Sequence, residues 1–206
     1  MEQLIIIGAS GHGKVVADIA VLNGYRDIIF LDDNRSLRKC GKYDVSGLTS
    51  KAVGMSGDII VGIGDNMMRK HFCEQYIDRL TTLIHPNAVI ADGVEIGVGS
   101  VIMAGTVINS GSRIGMGNIV NTSSSVDHDC KVGKFVHIAV ASHLCGNVKI
   151  GDHTWIGAGA VIINNMSIYE NCVIGAGAVV IKDLKEPGTY VGVPARKMNN
   201  LPAGTN

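Results

Sequence analysis

His128 stands between two carboxylates, Asp127 and Asp129, in the segment Asp-His-Asp-Cys. A carboxylate next to an imidazole can orient the ring and raise its basicity. A neutral imidazole whose pKa lies near 7 is a suitable base for an attacking amine or hydroxyl. The residue types therefore favour general-base chemistry at His128, and the plain alternative is a solvated histidine at a variable position.

A second candidate site lies near the start of the chain, where Gly8-Ala9-Ser10-Gly11-His12-Gly13 follows an apolar run. Backbone N–H groups beside a helix N-terminus bind anions, although this glycine spacing is not the dinucleotide fingerprint G-x-G-x-x-G. Asp32 and Asp33 close the next apolar run, where ribose or base contacts are found in parallel sheets. A tight glycine turn and a solvated strand end are the structural alternatives.

The elements that would position these groups fall into two parts. Residues 1–80 alternate strands at Leu4–Ile7, Ile28–Leu31 and Ile59–Ile63 with two helices, of which the first ends at Asn23-Gly24. Strand, glycine turn, helix and strand form a βαβ unit with a parallel sheet. We therefore predict an α/β, Rossmann-like N-terminal domain.

Residues 81–206 are dominated by an aliphatic residue at every sixth position. A period of six fits neither a helix at 3.6 nor a single strand at 2, so it describes a repeat unit. With a small residue at the fifth position of most units, the pattern predicts a narrow prism of 18 residues per coil, roughly 25 Å tall at 4.8 Å per coil. The aliphatic positions are Ile84, Ile90, Ile96, Ile102, Ile108, Ile114, Val120, Val126, Val132, Ile138, Leu144, Ile150, Ile156, Ile162, Ile168, Ile174 and Val180.

Composition narrows the class of partner. Lys plus Arg (18) equals Asp plus Glu (18), and no basic stripe is present, which argues against nucleic acid or an anionic membrane as a partner. The five cysteines contain no C-x-x-C pair, which favours a reducing cytoplasm. No apolar run reaches the ~18 residues of a membrane span, and no leader pattern opens the sequence.

The 18-residue coil predicts which residues stack. Gly146 falls beside His128, where it would leave open space and a backbone N–H for an oxyanion. Ala158 and Ala176 stack in two copies of Ile-Gly-Ala-Gly-Ala-Val, as a smooth groove for a long thin ligand. His137 lies half a coil from His128, on a prism roughly 15–20 Å across. A site that uses both histidines therefore requires two subunits, and we expect a symmetric trimer with interfacial sites.

An ordered set of motifs gives the chain a family resemblance that covers residues 1–198. The set consists of Gly-Ala-Ser-Gly-His-Gly-Lys-Val-Val, Phe-Leu-Asp-Asp, Gly-Ile-Gly-Asp-Asn, Asn-Thr-Ser, Asp-His-Asp-Cys and Gly-Val-Pro-Ala-Arg-Lys-Met. It resembles the hexapeptide-repeat acetyltransferases that modify nucleotide-linked 4-amino-4,6-dideoxy sugars, typified by the bacillosamine-pathway enzyme. The left-handed parallel β-helix of that family is implied by this resemblance.

The resemblance implies a role for each candidate residue, with acetyl-CoA as co-substrate, a nucleotide-linked amino sugar as acceptor, and no metal. The catalytic residues would be His128, its partner Asp129 (Glu in many relatives) and Asn121. The acetyl-CoA residues would be His137, Gly146, Ala158 and Ala176. The substrate residues would be Ser10, Gly11, His12, Asp32, Asp33 and Gly64.

Three other functions remain open at this stage. The first is an O-acetyltransferase acting on sialic acid or a related sugar. The second is a metalloenzyme like the γ-type carbonic anhydrases, with His128, His137 and His143 as ligands. The third is a non-catalytic scaffold that binds sugar nucleotides. The sequence leaves the nucleotide (UDP, dTDP or GDP) and the sugar stereochemistry undetermined.

Overall fold

The computed structural model describes residues 3–198; the first two residues and the last eight, which we assigned to the two domains, lie outside it. The N-terminal domain contains a three-stranded parallel sheet of order β2-β1-β5, confirming the βαβ prediction. Its elements are β1 (Gln3–Ile7), α1 (Gly11–Leu22), β2 (Asp27–Leu31), β3 (Lys39–Cys40), β4 (Tyr43–Asp44), β5 (Asp58–Val61) and α2 (Asn66–Gln75), with 3₁₀ turns at Thr49–Gly54 and Ile77–Arg79.

Strand β1 lies at the centre of this domain and is buried on both faces. Leu4 and Ile6 pack with α1, whereas Ile5 and Ile7 pack with α2 and its neighbours. Burial on both faces explains why the strand reads as a continuous apolar run. The strand predicted to reach Ile63 ends at Val61, because residues 62–64 leave the sheet as a loop beside α2.

The repeat forms a triangular prism in which residue i pairs with residue i+18, as predicted, and it winds as a left-handed β-helix of about six coils. The first sheet contains Leu83–Ile84, Val101–Ile102, Ile119–Val120, His137–Ile138, Trp155–Ile156, Cys172–Ile174, Gly188–Val191 and Arg196–Lys197. The second contains Val89–Ile90, Val107–Ile108, Ser125–Val126, His143–Leu144, Val161–Ile162 and Val179–Val180. The third contains Glu95–Ile96, Arg113–Ile114, Lys131–Val132, Lys149–Ile150 and Ser167–Ile168.

The prism interior is filled by the two residue classes that the repeat predicts. Aliphatic positions such as Ile138 and Ile156 are fully buried, and so are small positions such as Ser112 and Asn118. The small polar side chains bind carbonyls of the next coil: Ser112 Oγ donates to Asp127 O at 2.6 Å, and Asn118 Nδ2 to Gly133 O at 2.8 Å. Their burial therefore leaves no hydrogen-bond deficit.

Each corner of the prism requires one residue in the left-handed region. From Gly93 to Gly177, every sixth residue has φ between 54° and 76°. Glycine occupies the first five of these positions, whereas the next six are Ser123, Asp129, Phe135, Ala141, Asn147 and His153. A residue other than glycine costs roughly 1–2 kcal/mol in this conformation. At the six positions from Ser123 to His153, packing or function therefore outweighs the cost of a positive φ.

The N-terminal domain covers the strands that the first coils contribute to the first sheet. Leu83, Val101 and Ile119 are buried in one cluster with residues of β1 and α1, whereas Trp155 and Val173 higher on the sheet stay 38 % and 43 % exposed. Helix α2 covers the corner between the third and first sheets, which we call the docking corner (97–100, 115–118, 133–136 and 151–154). No helix within residues 3–198 is long and apolar enough to span a bilayer.

Two glycine substitutions separate backbone strain from crowding at the corners. A Cβ on Gly93 (φ 75°) would meet open space, whereas a Cβ on Gly117 (φ 64°) would lie 2.6 Å from the buried Phe135 ring. Both alanine variants lose stability because a Cβ is unfavourable in the left-handed conformation. Gly117→Ala loses more because its methyl group also overpacks the site. We expect Gly117→Ala to lose about 1–3 kcal/mol more than Gly93→Ala, measured by urea unfolding at equal protein concentration. Equal losses would contradict this packing.

Candidate active site

His128 lies at the corner between the second and third sheets, in the segment 127–130, which we call the His128 corner. This corner is opposite the first sheet, the face that carries the N-terminal domain. The left-handed φ of 60° at Asp129 directs its carboxylate back toward the imidazole, and Asp129 Oδ2 lies 2.8 Å from His128 Nδ1. Asp127 Oδ1 accepts hydrogen bonds from His128 N and Asn109 Nδ2, both at 2.8 Å, and fixes the turn.

The contact with Asp129 determines how the imidazole is protonated. An ionised carboxylate only accepts hydrogen bonds, so Nδ1 carries the proton and Nε2 of the neutral ring keeps a free lone pair. The hydrogen bond to Asp129 raises the pKa of His128, and the charge of Asp127 raises it further. The exposed ring therefore has Nε2 as its base nitrogen.

Gly146 lies directly against this ring, as the 18-residue register predicts. A Cβ at position 146 would be 2.5 Å from His128 Nε2. The φ of Gly146 lies outside the left-handed region, so glycine is needed there for space rather than for a positive φ. Within residues 3–198 its N–H has no acceptor, which leaves it able to bind an oxyanion.

His137 occupies a different environment, on the first sheet under the N-terminal domain. It is only 6 % exposed, and its ring centroid lies 4.5 Å from that of Trp155 and 6.4 Å from that of His12. Burial, followed by the charge of Arg69, lowers the pKa of His137 to about 3. The structure thus groups His137 with the N-terminal domain, and its predicted contact with acetyl-CoA stays a prediction.

Asn121 pairs with His137 and determines its tautomer. Asn121 Oδ1 accepts from Thr122 N at 2.8 Å, so the amide nitrogen points to His137 Nε2 at 3.2 Å. Nε2 must then be the unprotonated acceptor of a neutral ring. Within one chain Asn121 belongs to the His137 group, and it lies at the corner between the first and second sheets, away from the His128 corner.

Three of the six predicted substrate residues, Ser10, Asp32 and Asp33, line a cleft of about 220 Å³ at the carboxyl ends of β1, β2 and β5, which we call the N-terminal cleft; Gly11, His12 and Gly64 are not part of its lining. Its lining includes Gly8, Ser10, Asp32 and Asp33, and sequence reasoning missed Thr49, Ile63, Met68 and Phe72. Position 11 is open at the start of α1, because a Cβ there would meet nothing within 4 Å. The cleft therefore combines a helix N-terminus with apolar walls, as a nucleotide requires.

The two aspartates of this cleft also hold the fold together. Asp32 Oδ2 accepts from Ala9 N at 2.7 Å, and Asp33 Oδ1 accepts from Thr49 N at 3.0 Å. His12 is half-buried at the start of α1, and burial, followed by the charge of Arg69, lowers its pKa to about 4. Gly64 contributes its carbonyl to Arg69 at 2.8 Å, so its position is fixed from α2.

Ala158 and Ala176 are exposed at the corner between the first and second sheets, stacked one coil apart. The neighbouring Gly159 and Gly177 have no heavy atom within 4 Å of a Cβ position. The corner is therefore a smooth strip, as the two Ile-Gly-Ala-Gly-Ala-Val copies predict. Its role as an acetyl-CoA groove stays a prediction.

Two residues of α2 that bind the prism, Asn66 and Arg69, were not assigned a role from the sequence. Arg69 is 1 % exposed and binds carbonyls of both domains, while Asn66 Nδ2 donates to His153 O at 2.9 Å. A signal for Arg69 exists in the spacing: positions 69, 72, 73 and 76 repeat at i, i+3, i+4 and i+7, the buried stripe of a helix. An arginine inside such a stripe indicates a buried polar contact.

The three histidines of the metalloenzyme alternative lie on different parts of the prism. His128 is at its corner, His137 is on the first sheet, and His143 is on the second sheet with Nδ1 2.8 Å from Ser125 Oγ. No group of three His, Cys, Asp or Glu side chains suited to a metal gathers within the part of one chain that the structure describes.

Comparison with known proteins agrees with both halves of the chain. Residues 3–76 match the PglD N-terminal domain, and residues 147–182 match the bacterial transferase hexapeptide (six repeats). The UDP-N-acetylbacillosamine N-acetyltransferase of Bacillus subtilis is 34 % identical over 114 residues, which span 50 % of this chain and 52 % of that protein. The alignment thus spans about half the length of this curated relative.

Two solved structures are similar over almost the whole chain. The acetyltransferase domain of PglB from Neisseria gonorrhoeae, in complex with acetyl coenzyme A, is 39 % identical with a TM-score of 0.92, covering 96 % of this chain and 99 % of that one. PerB from Caulobacter crescentus, in complex with CoA and GDP-perosamine, is 34 % identical with a TM-score of 0.90, covering 97 % and 98 %.

A βαβ domain joined to a left-handed prism, with a carboxylate-paired histidine at an open corner, defines the class of hexapeptide-repeat acyltransferases. Sequence identity above 30 % over nearly the full length of these two solved structures assigns the chain to one family within that class. The chain belongs to the family of hexapeptide-repeat acetyltransferases with a PglD-type N-terminal domain, which includes the PglB domain and PerB.

The pairing of His128 with Asp129 leads to a measurable titration. Because the hydrogen bond to Asp129 is the largest cause of the raised pKa of His128, Asp129→Asn should lower that pKa. Asp127→Asn should lower it less, since only the charge of Asp127 acts on the ring. Histidine NMR titration of the two variants measures both effects, and an equal or larger drop in Asp127→Asn would refute the assigned pairing.

Proposed function

We propose that the chain is an acetyl-CoA-dependent N-acetyltransferase acting on the 4-amino group of a nucleotide-linked 4-amino-4,6-dideoxy sugar. The observation that carries the proposal is the His128 corner: Nδ1 bound to Asp129, Nε2 free, and Gly146 leaving space beside it. The family relationship to the PglB domain bound to acetyl coenzyme A and to PerB bound to GDP-perosamine supports the two substrates.

The reaction is a direct attack without a covalent enzyme intermediate. The sugar amine adds to the thioester carbonyl of acetyl-CoA, and His128 Nε2 takes the proton that the amine loses. Asp129 stabilises the imidazolium that forms, because the hydrogen bond between them strengthens when the ring is charged. The N–H of Gly146 binds the oxyanion, which then collapses and expels coenzyme A as thiol or thiolate.

The active site is proposed to form between subunits of a trimer. Within one chain, the N-terminal domain covers the first sheet, whereas His128 lies at the opposite corner of the prism. A sugar held in the N-terminal cleft would reach a His128 only if another copy of the chain presents its own corner. A cyclic trimer supplies three equivalent sites of this kind.

The N-terminal cleft is proposed to hold the nucleotide. Phosphates would bind the backbone N–H groups at Ser10–His12, at the start of α1. The apolar walls formed by Ile63, Met68 and Phe72 suit the flat face of a base.

The five cysteines, Cys40, Cys73, Cys130, Cys145 and Cys172, are all free, which favours a cytoplasmic location.

Removing the proposed base tests the mechanism. His128→Ala should lower kcat by about 10²–10⁴, because general-base catalysis contributes that much. The ring is exposed, so the trimer should remain folded. The assay uses acetyl-CoA with a nucleotide-linked 4-amino sugar, and circular dichroism with light scattering checks the fold. Unchanged turnover excludes His128 as the base.

A second variant tests the geometry of the same site while keeping His128. In Gly146→Ala the new methyl group would lie 2.5 Å from Nε2 and must displace the imidazole. We expect kcat to fall at least about 10-fold, because the displaced imidazole would lose part of the rate enhancement that a general base contributes. Gly54→Ala is the matched control, since a Cβ there meets nothing within 4 Å. Equal activity of the two variants would contradict the proposed site.

The acceptor class can be tested by ligand stabilisation. A ligand that binds only the folded state stabilises it by about 2.7 kcal/mol at 100 times its Kd, so the correct nucleotide sugar should raise Tm. UDP-, dTDP- and GDP-linked 4-amino sugars are compared with free sialic acid. Acetylation of sialic acid, with no shift from any nucleotide sugar, would support the O-acetyltransferase instead.

A further inference from the structure

Arg69 is the most completely buried charged side chain in the described part of the chain, at 1 % exposure. All of its nitrogen atoms donate to oxygen acceptors, and every acceptor is neutral. They are Gly117 O (2.6 Å), Ile63 O (3.2 Å), Gly64 O (2.8 Å), Asn66 Oδ1 (2.7 Å), Phe135 O (3.1 Å) and Val136 O (3.4 Å). The guanidinium is fully hydrogen-bonded without a carboxylate partner.

These acceptors come from both domains. Ile63 and Gly64 belong to the loop after β5, whose Ile63 side chain lines the N-terminal cleft. Gly117, Phe135 and Val136 belong to two successive coils at the docking corner. Five N–H donors in a rigid fork can hold such a set of carbonyls, whereas a lysine has only three donors. Arg69 therefore sets the position of the cleft loop relative to the prism.

The charge of Arg69 also acts on the two histidines of the domain junction. The groups that face His137 are Arg69, His12, Asn121 and the backbone of Gly64, and those that act on Arg69 itself are Cys73 and Asp65. Arg69 opposes protonation of both His137 and His12, in addition to their burial. A protonated His137 could not accept the hydrogen bond from Asn121 Nδ2.

We propose that Arg69 is a positioning residue for the transfer reaction: it fixes the Ile63–Gly64 loop of the N-terminal cleft against the prism, and its charge adds to the burial that keeps His137 neutral. The proposal rests on the proposed function, in which the N-terminal cleft holds the nucleotide. Arg69 is buried, so it acts through the loop and through the charge that it adds beside His137.

The test compares Arg69→Gln with Arg79→Gln. Arg79 is a matched control, because it also binds backbone carbonyls, Gly57 O at 3.0 and 2.8 Å and Ala52 O at 2.7 Å, within the N-terminal domain alone. Histidine NMR titrations, assigned with His137→Gln, should show the pKa of His137 rising by about one pH unit in Arg69→Gln only. The same pKa in both variants would overturn the proposal.

Kinetics supply a second readout. In Arg69→Gln the KM for the nucleotide sugar should rise roughly 10-fold as loop contacts are lost, whereas Arg79→Gln should keep the wild-type KM. Arg69→Lys keeps the charge but has fewer donors, so it should restore the pKa of His137 and leave KM raised. A kcat decrease in Arg69→Gln with an unmoved KM would indicate a structural role only and overturn the proposal.

The wild-type protein provides a test that does not depend on a variant folding. The ¹⁵N shifts of His137 at pH 6 should show an unprotonated Nε2 and a protonated Nδ1, and a doubly protonated ring would overturn the proposal. These NMR results are independent of turnover. If the protein acetylates no amino sugar but the pKa of His137 rises in Arg69→Gln, the electrostatic role of Arg69 is supported and the proposed function is rejected.

Discussion

The structure depends on one backbone constraint, a left-handed residue at every sixth position of the repeat. This constraint turns the chain at each corner, closes three corners in 18 residues, and places residue i directly beneath residue i+18. Asp129 occupies one of these positions, and its φ of 60° is what directs the carboxylate to His128. The same register brings Gly146 against the imidazole. The prism and the geometry of the His128–Asp129 pair therefore both depend on one repeated backbone torsion angle.

The second determinant is the way α2 recognises the docking corner. Gly117, Phe135 and His153 hold equivalent left-handed positions in three coils, and the first turns of α2 bind the carbonyls of all three through Arg69 and Asn66. Phe135 and His153 stack with centroids 5.5 Å apart and an interplanar angle of 3°. Burial of the Phe135 ring offsets the backbone cost of roughly 1–2 kcal/mol at that position.

Together these two features separate the chemistry into two locations. The N-terminal domain and the first sheet beneath it carry the N-terminal cleft, His12 and His137, where burial keeps the imidazoles neutral. The His128 corner is open to solvent, and neighbouring carboxylates make its imidazole more basic. The same side-chain type thus has opposite pKa shifts on opposite sides of one prism. This division is the physical reason for proposing an active site shared between subunits.

Periodicity let the sequence alone determine most of the scaffold and part of the site. The sixth-residue pattern predicts the prism, its interior and the stacking of Gly146 on His128, because each contact joins positions a fixed 18 residues apart. The contacts of Arg69 with the prism span 48, 66 and 67 residues, and the repeat does not predict which helix meets these carbonyls. Only the tertiary structure could show them, since docking of α2 depends on the shapes of two separate surfaces. For the same reason it alone revealed that His137 is buried beneath the N-terminal domain.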